Sequence, residues 1–399
     1  MSKKPEILFL AHRIPYPPNK GDKIRSWRLL CHLAKRYRVH VGCFVDDRDD
    51  LRYCEKVSAI AESAEFVELS PAIARLKSLQ GLVTGSALSE FYYRSHALQQ
   101  YVEQVRARGL LAEIAFSSTM AQFIEGHSGK SKKIIDFCDA DSEKWREYSQ
   151  TGNFAMRGIY AREARLLAKR EQEIIGWADH CFAISPQEAL LFSSTDNDSA
   201  GIDWWCNGVD TRYFDPEVSV AAAPQSIDVV FTGAMDYRPN IDAVLEFVRA
   251  AWQKIRATKP DATFAVVGAR PDAQLLALDG QQGITVTGHV DDIRVWLGAA
   301  RVAIAPMKIA RGVQNKVLEA MAMGVPMVAS TPAITGIACA DAQSIFIADD
   351  TQAVVDGVLS LLSDITLANQ YGANARKAVV ETHSWAAQLQ RFDAAFAGI

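Results

Sequence analysis

Between Arg301 and Ser330 the chain reads RVAIAPMKIARGVQNKVLEAMAMGVPMVAS, and Lys308, Arg311, Lys316 and Glu319 carry charge within it. Three cations this close, with a glycine among them, suit an anion of more than one negative charge, such as a diphosphate. The elements around them sharpen that reading. VAIAP is a β-branched and alanine run ending at Pro306, as a short buried strand would be. From about Gln314 to Met323, the spacing of Val317, Leu318 and Met321 predicts a helix stopped by Gly324 and Pro326, after which PMVAS starts another strand. Lys316 falls in the first turn of that helix, where the macrodipole disfavours a cation unless an anion lies between them. Glu319, three residues on, shares its face one turn deeper, where a carboxylate can accept hydrogen bonds from ribose hydroxyls. Taken singly, each of the four reads as a solvated helix-surface charge. Together, the ill-placed lysine, the glycine-bearing loop and LEAMAMG between two apolar strands favour a site.

KVLEAMAMGVPMVAS resembles the C-terminal signature of the retaining nucleotide-sugar glycosyltransferases of family 4. ARGVQNKVLEAMAMG together with PPNKGDKIRSW near the N-terminus is most similar to the branch associated with bacterial exopolysaccharide and PEP-CTERM/exosortase systems. The resemblance implies an α/β protein of GT-B fold, with two Rossmann-like doubly wound domains facing across a cleft and a C-terminal helix crossing back to the first. Family members carry a Glu, seven residues and a second Glu. Here the second is Glu319, and Arg311 stands at the first position. Since the first Glu touches the transferred sugar in the family and the second the ribose, the departure leaves nucleotide binding expected and the sugar open.

A chain of 399 residues fits two domains, and its composition, 49% hydrophobic and 23% charged, is that of a globular protein. No apolar run approaches a membrane-spanning length, and MSKKPEILFLAHRIP reads as a first strand rather than a signal peptide. Seven cysteines, spread widely and without a CxxC pair, predict a reduced cytoplasmic protein without structural zinc. Net charge is −4, yet residues 1–38 hold ten basic and two acidic side chains. That local excess suits a phosphate-bearing acceptor or the anionic inner face of a membrane, and equally a solvated basic helix. Nucleic acid is a poorer fit, with no basic and aromatic residues interleaved.

Apolar runs alternate with helical stretches in both halves, the pattern of parallel sheets with crossover helices. The expected strands are ILFLA, VHVGCFV, EFVEL, AEIAFSS, KIIDFCD and HCFAIS, then DVVFTG, TFAVVG, ITVTG, RVAIAP, PMVAS and SIFIA. The turn at Asn207-Gly208 and an alanine-rich linker between Pro216 and Pro224 separate them, and the NGVD…F-P stretch there also matches the family's domain junction. We therefore expect an acceptor-side domain over 1–205, a nucleotide-sugar-binding domain over 206–380, and a returning helix over 381–399.

Gly21, on the loop after the first strand, allows close backbone approach to a ligand, and Asp22 is placed to cap the following helix. In the family a glycine of this loop meets the donor diphosphate when the domains close, a role the resemblance gives to Gly21. Lys20, Lys23 and Arg25 are candidates to face an acceptor, as Asp22 is. DVVFTGAMDYRPN places Gly233 at a strand end before a helix, where open α/β sheets bind ligands. The family's Gly-Arg and nearby Lys are replaced here by Gly233-Ala234, leaving Arg238 as the local cation. GHVDD puts His289 and Val290 before a helix starting near Asp291 or Asp292, and the resemblance implies that their main chain borders the nucleobase. Gln314 and Asn315, opening the Lys316 helix, complete the donor-binding candidates. Of two DxD-like patterns, the run at 46–50 suits helix capping, while Asp139 is a candidate for sugar or acceptor.

The reading is thus a metal-independent, retaining hexosyltransferase that needs no cofactor beyond its nucleoside-diphosphate sugar, acting on a glycan or polyprenyl-diphosphate-linked acceptor for surface polysaccharide. It is expected in the cytoplasm, with peripheral contact at the inner membrane face. Lys316, Arg311 and Arg238 are the candidates to stabilise charge on the departing phosphate. A sugar-nucleotide 2-epimerase on the same fold, and a catalytically silent nucleotide-binding protein, are the rivals.

Overall fold

The computed structural model describes residues 4–126, 129–151, 154, 156–192, 202–218, 227–310 and 312–396. It divides into two compact units. One runs to Trp205 and takes back the chain from Leu389 onward, and the other spans Cys206–Gln388.

The first unit holds β1 (Glu6–Ala11), β2 (Arg38–Val45), β3 (Ser63–Glu68), β4 (Ala112–Phe116), β5 (Lys132–Cys138), β6 (His180–Ala183) and β7 (Asp203–Trp204). They form one parallel sheet in the order β3-β2-β1-β4-β5-β6-β7. The second unit repeats the plan with β8 (Ile227–Thr232), β9 (Phe264–Val267), β10 (Ile284–Val286), β11 (Ala300–Ala305), β12 (Met327–Ala329) and β13 (Phe346–Ile347), parallel in the order β10-β9-β8-β11-β12-β13. Strands covered on both faces have no polar side, so β1 and β8 are apolar almost throughout and almost wholly buried. In each sheet the order reverses beside the first strand. The carboxyl ends of β1 and β4, and of β8 and β11, therefore flank a crevice where doubly wound sheets take ligands.

The helices used below are α1 (Gly21–Ala34), α2 (Pro71–Ser78), α3 (Gln80–Thr84), α4 (Leu88–Tyr92), α5 (Arg157–Trp177), α6 (Arg238–Glu246), α7 (Ile293–Ala299), α8 (Asn315–Ala322), α9 (Ile365–His383) and α10 (Trp385–Asp393). At Asn207-Gly208, where the sequence suggested a turn, the chain meets its own return: Val209 pairs with Ser384, and a Cβ on Gly208 would lie 2.8 Å from the Trp385 nitrogen. Farther along α10, Phe392 stacks on Phe182 and meets Trp205 edge-on within the first unit. Among the described residues no single helix is long and apolar enough to cross a membrane. All seven cysteines are free thiols.

Candidate functional site

In the second unit the crevice between β8 and β11 is built around Lys316. It sits in the first turn of α8, only 8% exposed, and its ammonium donates to Asn240 Oδ1 at 2.5 Å, 3.8 Å from Met307 Sδ and 4.8 Å from the centre of the Phe231 ring. Asn240 is itself held, its Nδ2 donating to the Ala234 carbonyl at 2.9 Å. Gly233 must be a glycine. Its φ is +153°, and a Cβ there would lie 2.7 Å from Asn240 Nδ2 and 3.4 Å from Lys316 Cε. Burial pushes the Lys316 ammonium down to about 8, and the Glu319 carboxylate pulls back against it. Burial likewise raises the Glu319 carboxyl to about 7, opposed by Lys316. The two are not in ion-pair contact, and no described residue hydrogen-bonds the Glu319 carboxylate, so its acceptor capacity is unspent.

Gln314 is the residue before α8 and gives the helix no side-chain cap; its Nε2 donates instead to the Gly312 carbonyl. Asn315 is the first helical residue. The helix start therefore offers backbone N–H groups rather than a capping side chain. Arg311 lies outside the described residues. Arg238 differs from its sequence reading: it opens α6 on the exposed side, ion-paired with Asp242 at 2.8 Å, and the residue α6 sends inward is Asn240. Lys308 is exposed and paired with Glu246 at 2.6 Å. Of the cations read from the sequence, only Lys316 among the described residues is buried in this crevice. His289 is exposed, Val290 packs partly on the core, and α7 begins after Asp292, which caps it by accepting from the Arg294 N–H.

The matching crevice of the first unit opens into a cavity of about 690 Å³ lined by His12, Gly21, Asp22, Ser117, Cys138, Asp139 and Lys144, among others. Ser117 and Cys138, at the ends of β4 and β5, both have positive φ, +85° and +65°. Two non-glycine residues held in that region at adjacent strand ends mark a place where backbone strain is tolerated, as it is at binding sites. His12 Nε2 lies 3.4 Å and Arg13 Nη1 3.2 Å from the Asp22 carboxylate. Burial alone would raise Asp22, but His12 and Arg13 hold it well below the usual carboxylate range. Burial, reinforced by Asp141, pushes Asp139 up.

Several first-unit expectations are corrected here. Arg25 does not face an acceptor: it is fully buried, paired bidentately with Asp136 at 3.0 Å, donating to the Trp205 carbonyl at 2.6 Å and lying 3.4 Å over the Trp205 ring. Lys23 is buried against Asp50 at 2.5 Å. Asp22 does not cap α1, which starts at Gly21 with Lys20, exposed, at the cap position. The basic excess of residues 1–38 is partly neutralised, since five of its ten cations, Arg13, Lys23, Arg25, Arg36 and Arg38, have acidic partners. The run at 46–50 is occupied by Arg13 on Asp46, a cap at Asp47 and Lys23 on Asp50. Sequence reasoning missed Asn240; its place in the first turn of a helix after a Gly-bearing strand end was the available signal.

Residues 226–364 match the family described as glycosyl transferases group 1. No curated protein matches the chain. Among solved structures, the chain is similar to sucrose-phosphate synthase from Thermosynechococcus elongatus, at 16% identity and a TM-score of 0.68 over 99% of this chain and 100% of that one. HepE of Anabaena in complex with UDP gives 14% identity and a TM-score of 0.68 over 99% and 100%. WaaG, a glycosyltransferase involved in lipopolysaccharide biosynthesis, gives 14% and 0.63 over 98% and 100%. At such identities these likenesses concern the fold, which is GT-B. The family match over the second unit gives the class: the protein is a glycosyltransferase.

Proposed function

We propose that the protein moves a hexose-type sugar, with retention, from a nucleoside-diphosphate donor to a growing, lipid-linked glycan in surface polysaccharide synthesis. The observation that carries this reading is Lys316, a cation kept buried in the first turn of α8, where the helix itself disfavours it unless an anion is bound. In this reading the donor diphosphate lies over the start of α8, met by Lys316 and by the N–H groups around Gln314 and Asn315, with Gly233 leaving room beside it. Glu319 takes the ribose hydroxyls, and the main chain of His289 and Val290 borders the base. As the bond from the anomeric carbon to the phosphate oxygen breaks, charge grows on the departing phosphate, and Lys316 is preorganised to stabilise it. Asn240 orients that ammonium. With retention, the departing oxygen accepts the proton of the incoming hydroxyl, so no protein base is required. The acceptor is assigned to the first-unit cavity, beside Gly21, Asp22 and Asp139. The bound UDP and UDP-glucose of HepE support a donor of this class, and the role of WaaG in lipopolysaccharide synthesis supports an acceptor on the cell surface pathway.

Glu319→Ala is expected to weaken donor binding by about 1–3 kcal/mol, the loss of a hydrogen bond to a charged acceptor. Isothermal titration that finds unchanged affinity in the folded variant removes the ribose assignment.

Lys316 and the partly buried Glu319 also set a pH profile. The diphosphate needs the Lys316 ammonium, so kcat/KM falls as pH rises through about 8. The ribose needs the Glu319 carboxylate, so it falls as pH drops through about 7. A narrow bell is expected, its limbs belonging to the pair rather than to either residue. A flat profile across this range contradicts both roles.

Thermal shift across UDP- and GDP-sugars tests the function, because a ligand that binds only the folded state raises the midpoint. The selected donor is then incubated with and without a polyprenyl-diphosphate-linked glycan. Sugar appearing on the glycan supports transfer. Isomerised UDP-GlcNAc formed without acceptor supports the epimerase instead, and donor binding without turnover a silent protein.

A further inference from the structure

Helices α2 and α3 follow one another with only Leu79, itself in helical conformation, between them, and they face the protein the wrong way round. Their inward side is small: Ala74, Ser78 and Gly81 are buried. Their outward side is large and apolar, with Ile73, Leu76, Leu79, Leu82 and Val83 all exposed, Leu76 to 71% and Val83 to 90%. A helix pair serving only the core would present the opposite pattern, and a contiguous apolar patch of this kind marks an interaction surface. The segment is also firmly held. Arg162 of α5 donates to the Gly81 and Ser86 carbonyls at 2.7 and 3.2 Å, and its neighbour Glu163, fully buried, accepts from the Leu88 and Ser89 N–H groups and the Ser89 hydroxyl, each at 2.9 Å. A buried carboxylate thus fixes the start of α4 and, with it, the exposed patch.

Charge identifies the partner. From residue 69 to residue 89 there are two basic side chains, Arg75 and Lys77, and no acidic one. Against a second copy of the same patch these cations would face each other across a two-fold axis. Against anionic headgroups they are attracted while the apolar side chains enter the acyl boundary. We propose that Pro71–Thr84 docks the protein on an anionic lipid bilayer, and that this apolar segment, rather than the half-neutralised basic stretch at the N-terminus, makes the membrane contact. Arg75 and Ser78 of α2 also line the first-unit cavity with Asp22 and Asp139, so the docked surface adjoins the place assigned to the acceptor. Delivery of a lipid-linked acceptor along that path rests on the transferase reading; the docking does not.

Flotation of the full chain with vesicles of phosphatidylcholine alone, and with an equal part of phosphatidylglycerol, tests it. Wild type is expected to float with the mixed vesicles, and Leu76→Glu/Val83→Glu to bind about tenfold less or weaker. The UDP-induced rise in melting midpoint should be the same in both, which separates this test from that of the donor site. Wild type floating with neither vesicle, or the double variant floating equally well, overturns the proposal. So does a concentration-dependent dimer in sedimentation that the same variant dissolves, since the patch would then be covered by a second copy. If the double variant fails to fold, Leu76→Gln, a milder change at a solvent-facing position, replaces it with the same expected direction.

Discussion

Lys316→Met is expected to lower kcat by about 10²–10³ with a smaller change in donor KM, as removal of one preorganised donor to a developing oxyanion does. The folded apo protein should be as stable as wild type or up to about 2 kcal/mol more so, because methionine fills the same space among Phe231, Met307 and Gly233 without a charge to desolvate. Two effects oppose each other: relief of the buried ammonium stabilises, and loss of the acceptor bond at Asn240 Oδ1 costs about 1 kcal/mol. The sign with pH follows. Near pH 7 Lys316 is protonated both folded and unfolded, so wild type bears the whole desolvation penalty. Between about 8 and the ordinary lysine value the unfolded chain binds more protons, so wild-type stability rises with pH across that window. Urea midpoints at about pH 7 and about pH 9.5 should therefore converge for the two proteins. A clear loss of stability in the variant near pH 7, with turnover per folded molecule preserved, would make Lys316 a structural residue.

Arg25→Met should have the other large effect, and an opposite signature. It leaves Asp136 buried with only the Trp205 indole N–H and the Cys138 N–H to satisfy it, both at about 3 Å. Breaking a buried ion pair in this way costs about 3–5 kcal/mol. The loss should appear in the unfolding of the first unit alone, with the UDP affinity of the second unit kept. Arg25→Met/Asp136→Leu should recover a good part of it, since no buried charge is then left alone. An unchanged urea midpoint in the single variant would refute the structural role and reopen an acceptor role for Arg25.

Arg25 also shows where sequence reasoning stops. In GDKIRSWRLL it looks like one more cation on an amphipathic helix, and its partner lies 111 residues away on β5, which no local pattern reveals. Lys23 with Asp50 is the same case over a shorter span. What was legible came from strong local constraints. Strands covered on both faces leave nearly unbroken apolar runs, so ILFLA and DVVFTG could be read as strands. The two-residue β7 has no such run and was missed. Lys316 was legible because a lysine at a helix start conflicts with the dipole, whereas Asn240, a residue favoured near helix starts anyway, gave no conflict to notice. The exposed face of α2 and α3 could not be told from a buried one, since PAIARLKSLQGLVT has the same periodicity whichever side meets the core.

The central claim is that the start of α8 is a diphosphate site. It is tested most directly by titrating wild type and Lys316→Met with UDP and GDP, and with uridine and guanosine, at low salt and about pH 7.5, below the value of about 8 to which burial lowers Lys316. One nucleoside diphosphate should bind wild type at least about a hundredfold more tightly than its nucleoside, the worth of two or so charge-assisted hydrogen bonds, and Lys316→Met should lower that preference about tenfold, the helix N–H groups keeping the rest. Equal affinity for diphosphate and nucleoside, or a preference unchanged by the substitution, would contradict it.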